Sequence, residues 1–270
     1  MASGVIELGS NIQSIPSLST SDRLARSFSA GTVVYDSSLR CLLVYDGNRW
    51  FPAQPIDPMN GLMVQEDWTN NNVAGNSTWG VTGNTGSNSG MLFDSNQNAV
   101  GQVYIEQSSA GPGYTTLYYG NSYALGAQAL FFDARVHVDS LSTGAQEYKA
   151  EVGFADQVDA TAFSEGIYFS YDRATDGNFW ACKTTAGSVT TKTVTSVAMV
   201  GGTYQTLSVA YYGGSVKFYI NNTLVATHTT NLTTALCSPK LRIIKTVGAT
   251  ARRLVNDYFT TYSFFTTRRG

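Results

Sequence analysis

The sequence predicts an all-β protein built from antiparallel sheets, and three observations carry that prediction. The first is a hairpin near the end of the chain. In Leu207-Ser-Val-Ala-Tyr-Tyr212, Gly213-Gly214, Ser215-Val-Lys-Phe-Tyr-Ile220, a two-residue turn pairs Tyr211 with Val216, Val209 with Phe218 and Leu207 with Ile220. One face is then apolar, while Ser208, Ala210, Tyr212, Ser215, Lys217 and Tyr219 occupy the other, the pattern of a sheet with one side on a core and one in water. The second is composition: only 13% of residues are charged, and 26 Gly, 16 Tyr and 13 Phe suit short strands and tight turns better than helices. The third is the number of strand-like segments, ten or more with turns between them, which exceeds a seven-strand immunoglobulin pattern and points to a larger sandwich.

Taken in order, residues 1–57 stand apart from the rest. Ser19-Thr-Ser-Asp22 offers N-caps for a short helix through Arg23-Leu-Ala-Arg26. Thr32-Val-Val-Tyr-Asp36 and Leu39-Arg-Cys-Leu-Leu-Val-Tyr45 read as two strands turned by Ser37-Ser38, with Asp46-Gly47-Asn48 turning again before Trp50-Phe51. So small a β unit buries too little area to stand alone, so a partner chain or another subunit is expected to support it. Val33, Tyr35, Leu42 and Val44 are the expected contacts. Pro52, Pro55 and Pro58 predict a stiff, extended linker into the second unit, residues 58–270.

In that unit the Asn/Gly/Ser-rich stretch from Asn70 to Gly90 reads as long loops with a mobile tip around one strand at Trp79 to Thr82. Strands follow at Val100 to Gln107, Thr115 to Tyr119, Leu130 to Val138, Tyr148 to Phe154, Gly166 to Asp172, Asn178 to Thr184, the hairpin, Leu241 to Thr246 and Leu254 to Phe265. Phe132, Ala134, Val136 and Val138 share one face, as do Tyr148, Ala150, Val152 and Phe154. Asp133, Arg135 and His137, and Glu147, Lys149 and Glu151, lie opposite.

These residues, in this order, resemble the concanavalin A-like (laminin-G-type) jelly-roll domains of bacteriophage virion proteins. The resemblance runs through Gln65-Glu-Asp-Trp68, Trp79, Gly111-Pro-Gly-Tyr-Thr-Thr-Leu117, Val152-Gly-Phe-Ala-Asp156, Gly166-Ile-Tyr-Phe-Ser-Tyr-Asp172 and Trp180. It continues through Val216-Lys-Phe-Tyr-Ile-Asn-Asn222, Thr223-Leu-Val225 and Arg252-Arg-Leu-Val-Asn-Asp-Tyr-Phe259, and covers about residues 61 to 265. The front residues, Asp22-Arg-Leu-Ala-Arg26, Gly31-Thr-Val-Val-Tyr-Asp36, Leu43-Val-Tyr-Asp-Gly47 and Trp50, are similar to a short β module of phage fibre and tail proteins. The resemblance implies a homotrimeric virion appendage, a tail fibre or tail-tip adhesin, that docks on other virion proteins through its first unit and displays the second to host glycan. The alternative is a capsid decoration or head-fibre protein.

The residues set further bounds on function. A formal net charge of -2 with no basic run argues against nucleic-acid binding, and no apolar run reaches the ~18 residues of a membrane span. Three cysteines, Cys41, Cys182 and Cys237, cannot all pair within one chain; with no charged-then-apolar leader before Ser3, free thiols of a chain made in a cytosol are expected, as are polar turns rather than glycans at Asn76, Asn221 and Asn231. The only two histidines, His137 and His228, have no metal spacing or nucleophile signature nearby, so no metal and no cofactor is expected. Asp172, Asp176 and Asn178 read as a hairpin turn rather than a calcium loop.

For a glycan depolymerase, the nearest carboxylate pair is Glu147-Tyr-Lys-Ala-Glu151. Its Cα atoms stand ~13 Å apart along a strand, against ~5.5 Å between retaining carboxyl pairs. A solvated face with cross-strand pairing to Arg135 is expected, and no enzyme activity. Trp79 and Trp180 are expected in the core. The candidate sugar-binding patch is therefore Tyr212, Lys217 and Tyr219, read as exposed aromatics beside a polar head.

Overall fold

The computed structural model describes residues 7–8, 11–12, 15–53, 61–68, 79–84, 86–92, 101–109, 111–120, 122–125 and 129–264. A two-stranded ladder, β1 (Glu7–Leu8) with β2 (Asn11–Ile12), comes first. The N-terminal module then comprises β3 (Ser17–Leu18), α1 (Thr20–Leu24), β4 (Val33–Asp36), β5 (Cys41–Tyr45) and β6 (Trp50–Pro52), arranged as a four-stranded sheet in that strand order. Helix α1 starts where the capping residues predict, with the Ser19 hydroxyl accepting from the Asp22 amide at 3.1 Å. Pro52 belongs to β6; Pro55, Pro58 and the expected linker around them lie outside the described residues, as does Asn76.

The remainder is a sandwich. Its strands are β7 (Gly61–Glu66), β8 (Trp79–Gly83), β9 (Ser87–Leu92), β10 (Gln102–Gln107), β11 (Gly113–Tyr119), β12 (Tyr123–Ala124), β13 (Ala129–Val138), β14 (Tyr148–Ala155) and β15 (Gly166–Asp172). After the one-turn α2 (Arg173–Asp176) come β16 (Phe179–Ala186), β17 (Val189–Ala198), β18 (Gln205–Tyr212), β19 (Ser215–Ile220), β20 (Thr223–His228), β21 (Leu236–Lys245) and β22 (Arg252–Phe264). The first sheet runs β20-β19-β18-β13-β22-β10-β9, with β7 also pairing β22; the second runs β17-β16-β15-β14-β21-β11-β8, with β12 pairing β21. Every pairing within these two sheets is antiparallel. The all-β sandwich predicted from alternation and turns is the observed architecture.

Local chemistry sets the register. Gly213 and Gly214 adopt φ of +59° and +71°, the left-handed pair that a two-residue hairpin turn demands, and β18 pairs β19 as Leu207↔Ile220, Val209↔Phe218 and Tyr211↔Val216. Asn221 and Asn222, with φ of 49° and 64°, turn β19 into β20 in the same way. Ser87-Asn-Ser-Gly90, read as part of a mobile tip, instead forms most of β9 and pairs fully with β10. Its sequence lacks β-branched residues, so the pairing rests on the neighbouring strand rather than on local propensity.

The inner faces of the two sheets meet in one core. Phe132, Val136, Val209 and Phe218 come from the first sheet, and Val152, Phe154, Phe169, Trp180, Leu241 and Ile243 from the second. The buried indoles keep partners: Trp180 Nε1 donates to Gln205 Oε1 at 2.7 Å, and Trp68 Nε1 to Asn256 Oδ1 at 2.6 Å. Trp79 packs edge-on against Trp68, Tyr119 and Phe259. Cys41, Cys182 and Cys237 are unpaired and buried, and burial pushes each thiol up, to about 12 for Cys41 and Cys237.

The outer face of the first sheet is not in water where the hairpin lies. Val34, Leu39, Cys41, Leu43 and Trp50 of the module form a second core with Ala129, Phe131, Ala210, Tyr212, Tyr219 and Phe264 of the sheet. The module therefore finds its support within its own chain, where a partner chain had been expected. Val33, Tyr35, Leu42 and Val44 alternate with those buried residues and lie on the module's other face, Val33 opposite Val44 and Tyr35 opposite Leu42; Tyr35 is exposed and the other three half-buried.

A buried ion pair closes the junction. Arg23 Nε donates to Asp36 Oδ2 at 2.8 Å with both side chains fully buried. The Arg23 guanidinium lies 5.2 Å from the Trp50 ring and 5.3 Å from the Tyr212 ring. Asp36 also accepts from Thr20 Oγ1 at 2.9 Å and from the amides of Ser38 and Leu39 at 3.0 and 2.9 Å, which offsets its desolvation.

Candidate functional site

The outer face of the second sheet carries the charged residues and a cleft. Strands β14, β15, β16 and β21 alternate, so the neighbours of the core residues Ala150, Val152, Phe169, Cys182, Leu241 and Ile243 point outward. They are Lys149, Glu151, Tyr168, Lys183, Arg242 and Ile244. Lys192 from β17 and Phe163 from the loop after β14 complete the wall of a cavity of about 620 Å³. Gly153 sits at the centre of β14 with φ of +151°, where a Cβ would lie 2.4 Å from the Ile167 carbonyl oxygen, so only glycine lets β14 and β15 pair this closely behind the cleft.

Arg242 organises the floor. It is 1% exposed, and its Nε and Nη2 donate to Glu151 Oε2 at 2.7 and 2.5 Å. Its Nη1 donates to the carbonyls of Asp159 and Thr161 at 2.5 and 2.9 Å, and the Phe163 ring stacks on the guanidinium at 3.6 Å. One arginine thus ties the loop 156–165 to the sheet. Asp156 strengthens that tie by accepting from the Ser164 hydroxyl and amide.

The expectation of a solvated Glu147 and Glu151 pair is corrected here. Glu151 is 7% exposed and bound to Arg242, ninety-one residues later in the chain, whereas Glu147 lies 3.5 Å from Arg173. The expected partner Arg135 is on the other sheet and pairs with Asp257 at 2.5 Å. Two of the cleft's lysines are also matched: Lys149 meets Asp172 at 2.8 Å and Lys192 meets Asp176 at 2.6 Å. Asp172 stands at the N-cap position of the one-turn α2, and Asp176 is its last residue.

Lys183 is different. Among the described residues no carboxylate lies within ion-pair distance of it; its ammonium donates to Ser170 Oγ at 3.2 Å and stands 5.7 Å from the Tyr168 ring. Burial lowers its pKa, opposed by the charges of Glu151 and Asp176. Tyr168 and Phe163 meet edge to face at 4.8 Å, giving the cleft an aromatic wall. Burial, then the Glu151 charge, pushes the Tyr168 phenol up to about 12. The lining thus has four cations and one carboxylate, and that carboxylate is already bound.

The predicted sugar patch is corrected as well. Tyr212 and Tyr219 are 3% and 1% exposed, because the N-terminal module covers them; Lys217 lies at the edge, 5.9 Å from the Tyr212 ring. Burial raises both phenols, opposed at Tyr212 by Arg23 and at Tyr219 by Arg49. Their alternation was read correctly, but nothing local announces a cover supplied by residues near the start of the chain. Arg242 was missed for the same kind of reason: it stands in an otherwise apolar run, Leu241-Arg-Ile-Ile244, where a lone cation signals a partner on the facing strand only once the register is known.

Two antiparallel sheets packed face to face, with a cleft on one outer face, define a concanavalin A-like jelly roll. The chain belongs to the SO2946-like family: the family model SO2946-like, C-terminal domain matches residues 98–256. A search of curated proteins finds no match. Among solved structures, a protein of unknown function, SO2946 from Shewanella oneidensis MR-1, is similar with a TM-score of 0.58 at 12% identity, covering 78% of this chain and 90% of that one. The endo-beta-1,4-glucuronan lyase of the fungus Trichoderma reesei is similar with a TM-score of 0.53 at 11% identity, covering 72% and 94%. The metal-free carbohydrate recognition domain of Emp46p gives 0.52 at 8% identity, covering 79% and 99%. At these identities the likeness is one of fold.

Proposed function

We propose that the chain is a non-catalytic glycan-binding jelly roll that takes an acidic glycan into the cleft on its second sheet. The observation that carries this reading is Lys183: a half-buried ammonium with no carboxylate partner among the described residues, beside an aromatic wall and flanked by two further lysines. A uronate or other anionic sugar supplies the missing charge, and its apolar ring face matches Phe163 and Tyr168. The absence of catalysis is supported by what the cleft's own groups are doing. Glu151 is held by Arg242, and a Tyr168 phenol near 12 holds its proton at neutral pH.

The particular setting we propose is a phage virion appendage, a tail fibre or tail-tip adhesin, in which the first unit docks on other virion proteins and the sandwich meets host glycan. The resemblance of the front residues to phage fibre modules supports this. Binding and cleavage are tested together by incubating the protein with polyglucuronate and measuring bound polymer and released chain ends. Saturable binding without new ends is expected, weakened about tenfold in Lys183→Ala with stability changed by less than about 1 kcal/mol. Release of ends, abolished by Tyr168→Phe, would make the protein an enzyme. Immunogold labelling of purified virions tests the setting: label on tails supports an adhesin, label on heads a capsid decoration, and no label removes the virion reading.

A further inference from the structure

Where the N-terminal module stops, the outer face of the first sheet opens into a second cavity of about 480 Å³, on the opposite side of the sandwich from the lysine cleft. Two regions far apart in the chain build it. The module supplies Asp46, Arg49, Phe51 and Pro52, and the sandwich supplies Asp133, Asn222, Tyr258 and Tyr262 with two threonines. On β22, Tyr258, Thr260 and Tyr262 share one face, and Asp133 of β13 stands directly opposite Thr260. A carboxylate is thus flanked diagonally by two half-buried tyrosines, whose Cα atoms span ~13 Å of strand.

The polar groups are placed but not exhausted. Asp133 Oδ1 accepts from Arg49 Nη1 at 3.0 Å and from the Ser208 hydroxyl, whereas its Oδ2 has no donor among the described residues. Arg49 Nη2 reaches Asn222 Oδ1 at only 3.4 Å, and Arg49 Nε is buried without a hydrogen-bond partner among the described residues, 3.5 Å from an Asp46 oxygen. The open acceptor on Asp133 and the long Arg49 Nη2–Asn222 contact, rather than the buried Arg49 Nε, therefore offer hydrogen-bonding capacity beside a space walled by Phe51, Tyr258 and Tyr262. With two carboxylates against one guanidinium the lining disfavours an anion, unlike the lysine cleft. A ligand with alternating hydroxyls and an apolar ring face fits both the aromatic wall and the leftover hydrogen-bonding groups.

We propose that this junction is a second saccharide site, specific for a neutral oligosaccharide, and that it is complete only when the module is seated on the sandwich. The Asp133 and Asn222 side chains and the Arg49 guanidinium bond the hydroxyls, and the aromatic rings pack on the C–H faces.

The full chain is titrated with cellobiose, lactose and maltose by isothermal calorimetry and saturation-transfer NMR. At least one of the three binds with a millimolar or tighter Kd. Tyr258→Ala weakens it about tenfold, and so does Asn222→Gly, which removes an amide from a turn position where a φ of 64° suits glycine. Lys183→Ala leaves it unchanged. A polyglucuronate titration alongside reports the lysine cleft separately, so failure at one site is read independently of the other. Absence of binding by all three sugars, binding unaltered in both Tyr258→Ala and Asn222→Gly, or binding lost in Lys183→Ala would overturn the proposal; should Tyr258→Ala fail to fold, Asn222→Gly decides alone.

Discussion

On the outer face of the first sheet, Phe131, Tyr212, Tyr219 and Phe264 lie under the N-terminal module, whereas the outer face of the second sheet presents Lys149, Lys183 and Lys192 to an open cleft. Both faces arise from the same two-residue alternation away from one core. The difference is in what the outward positions hold: rings large enough to demand cover on one side, and on the other charges that need partners or water. An outward aromatic set in a strand pattern is thus a docking surface for the chain's own residues as readily as a ligand platform.

Truncating neighbours on β19 gives the largest contrast between the core side and the module side of the first sheet. Phe218→Ala, on the core side, costs about 3 to 5 kcal/mol, and Tyr219→Ala, on the module side, costs a similar amount because it is equally buried. Lys217→Ala stays within about 1 kcal/mol. Urea unfolding of the three variants decides: a Tyr219→Ala loss as small as that of Lys217→Ala means that the module does not cover this face.

Next in size is Glu151→Gln. It leaves the Arg242 guanidinium buried without its carboxylate and costs about 3 kcal/mol. Reading the pair from sequence alone as solvated predicts almost no loss, so the same unfolding measurement discriminates between the two.

A smaller effect separates the buried cations of the second sheet from its open ones. Lys240 is 3% exposed, donates to the Ala155 carbonyl at 2.6 Å and to Ser238 Oγ at 2.7 Å, and burial lowers its pKa from 10.5 to about 8. Between those values the unfolded chain holds more protons than the folded one, so stability rises with pH across that window. Relative to Lys240→Met, the wild type therefore gains stability from pH 8 to 10.5, by at most about 3 kcal/mol. Parallel pH profiles of the two proteins would contradict the burial of this amine.

Much of the fold was legible because its determinants are local. Gly213-Gly214 fixes the β18–β19 register, and the alternation in Phe132 to Val138 and Tyr148 to Phe154 assigns inner and outer faces before any neighbour is known. The strands that went unread have weaker local signals. Val189–Ala198 is an edge strand with mostly outward or half-buried side chains, and Ser87–Leu92 owes its state to β10. The site was less legible than the fold. Lys149, Glu151 and Lys183 sit on readable strands, but whether each is solvated, bound or unmatched depends on Asp172, Arg242 and the loop 156–165, which meet them only through pairings across the sheet. Tyr212 and Tyr219 were placed on the right face and given the wrong environment for the same reason.

One outer face holds the module and the other carries the open lysine cleft proposed to take an acidic glycan. Amide hydrogen exchange of the full chain, with and without polyglucuronate, tests this division most directly. Added protection is expected in residues 149–165, 181–192 and 240–246, with the segment 33–53 and the hairpin 207–220 already slow to exchange and unchanged. Added protection confined to 33–53 or 207–220, or none anywhere at saturating polymer, would contradict it.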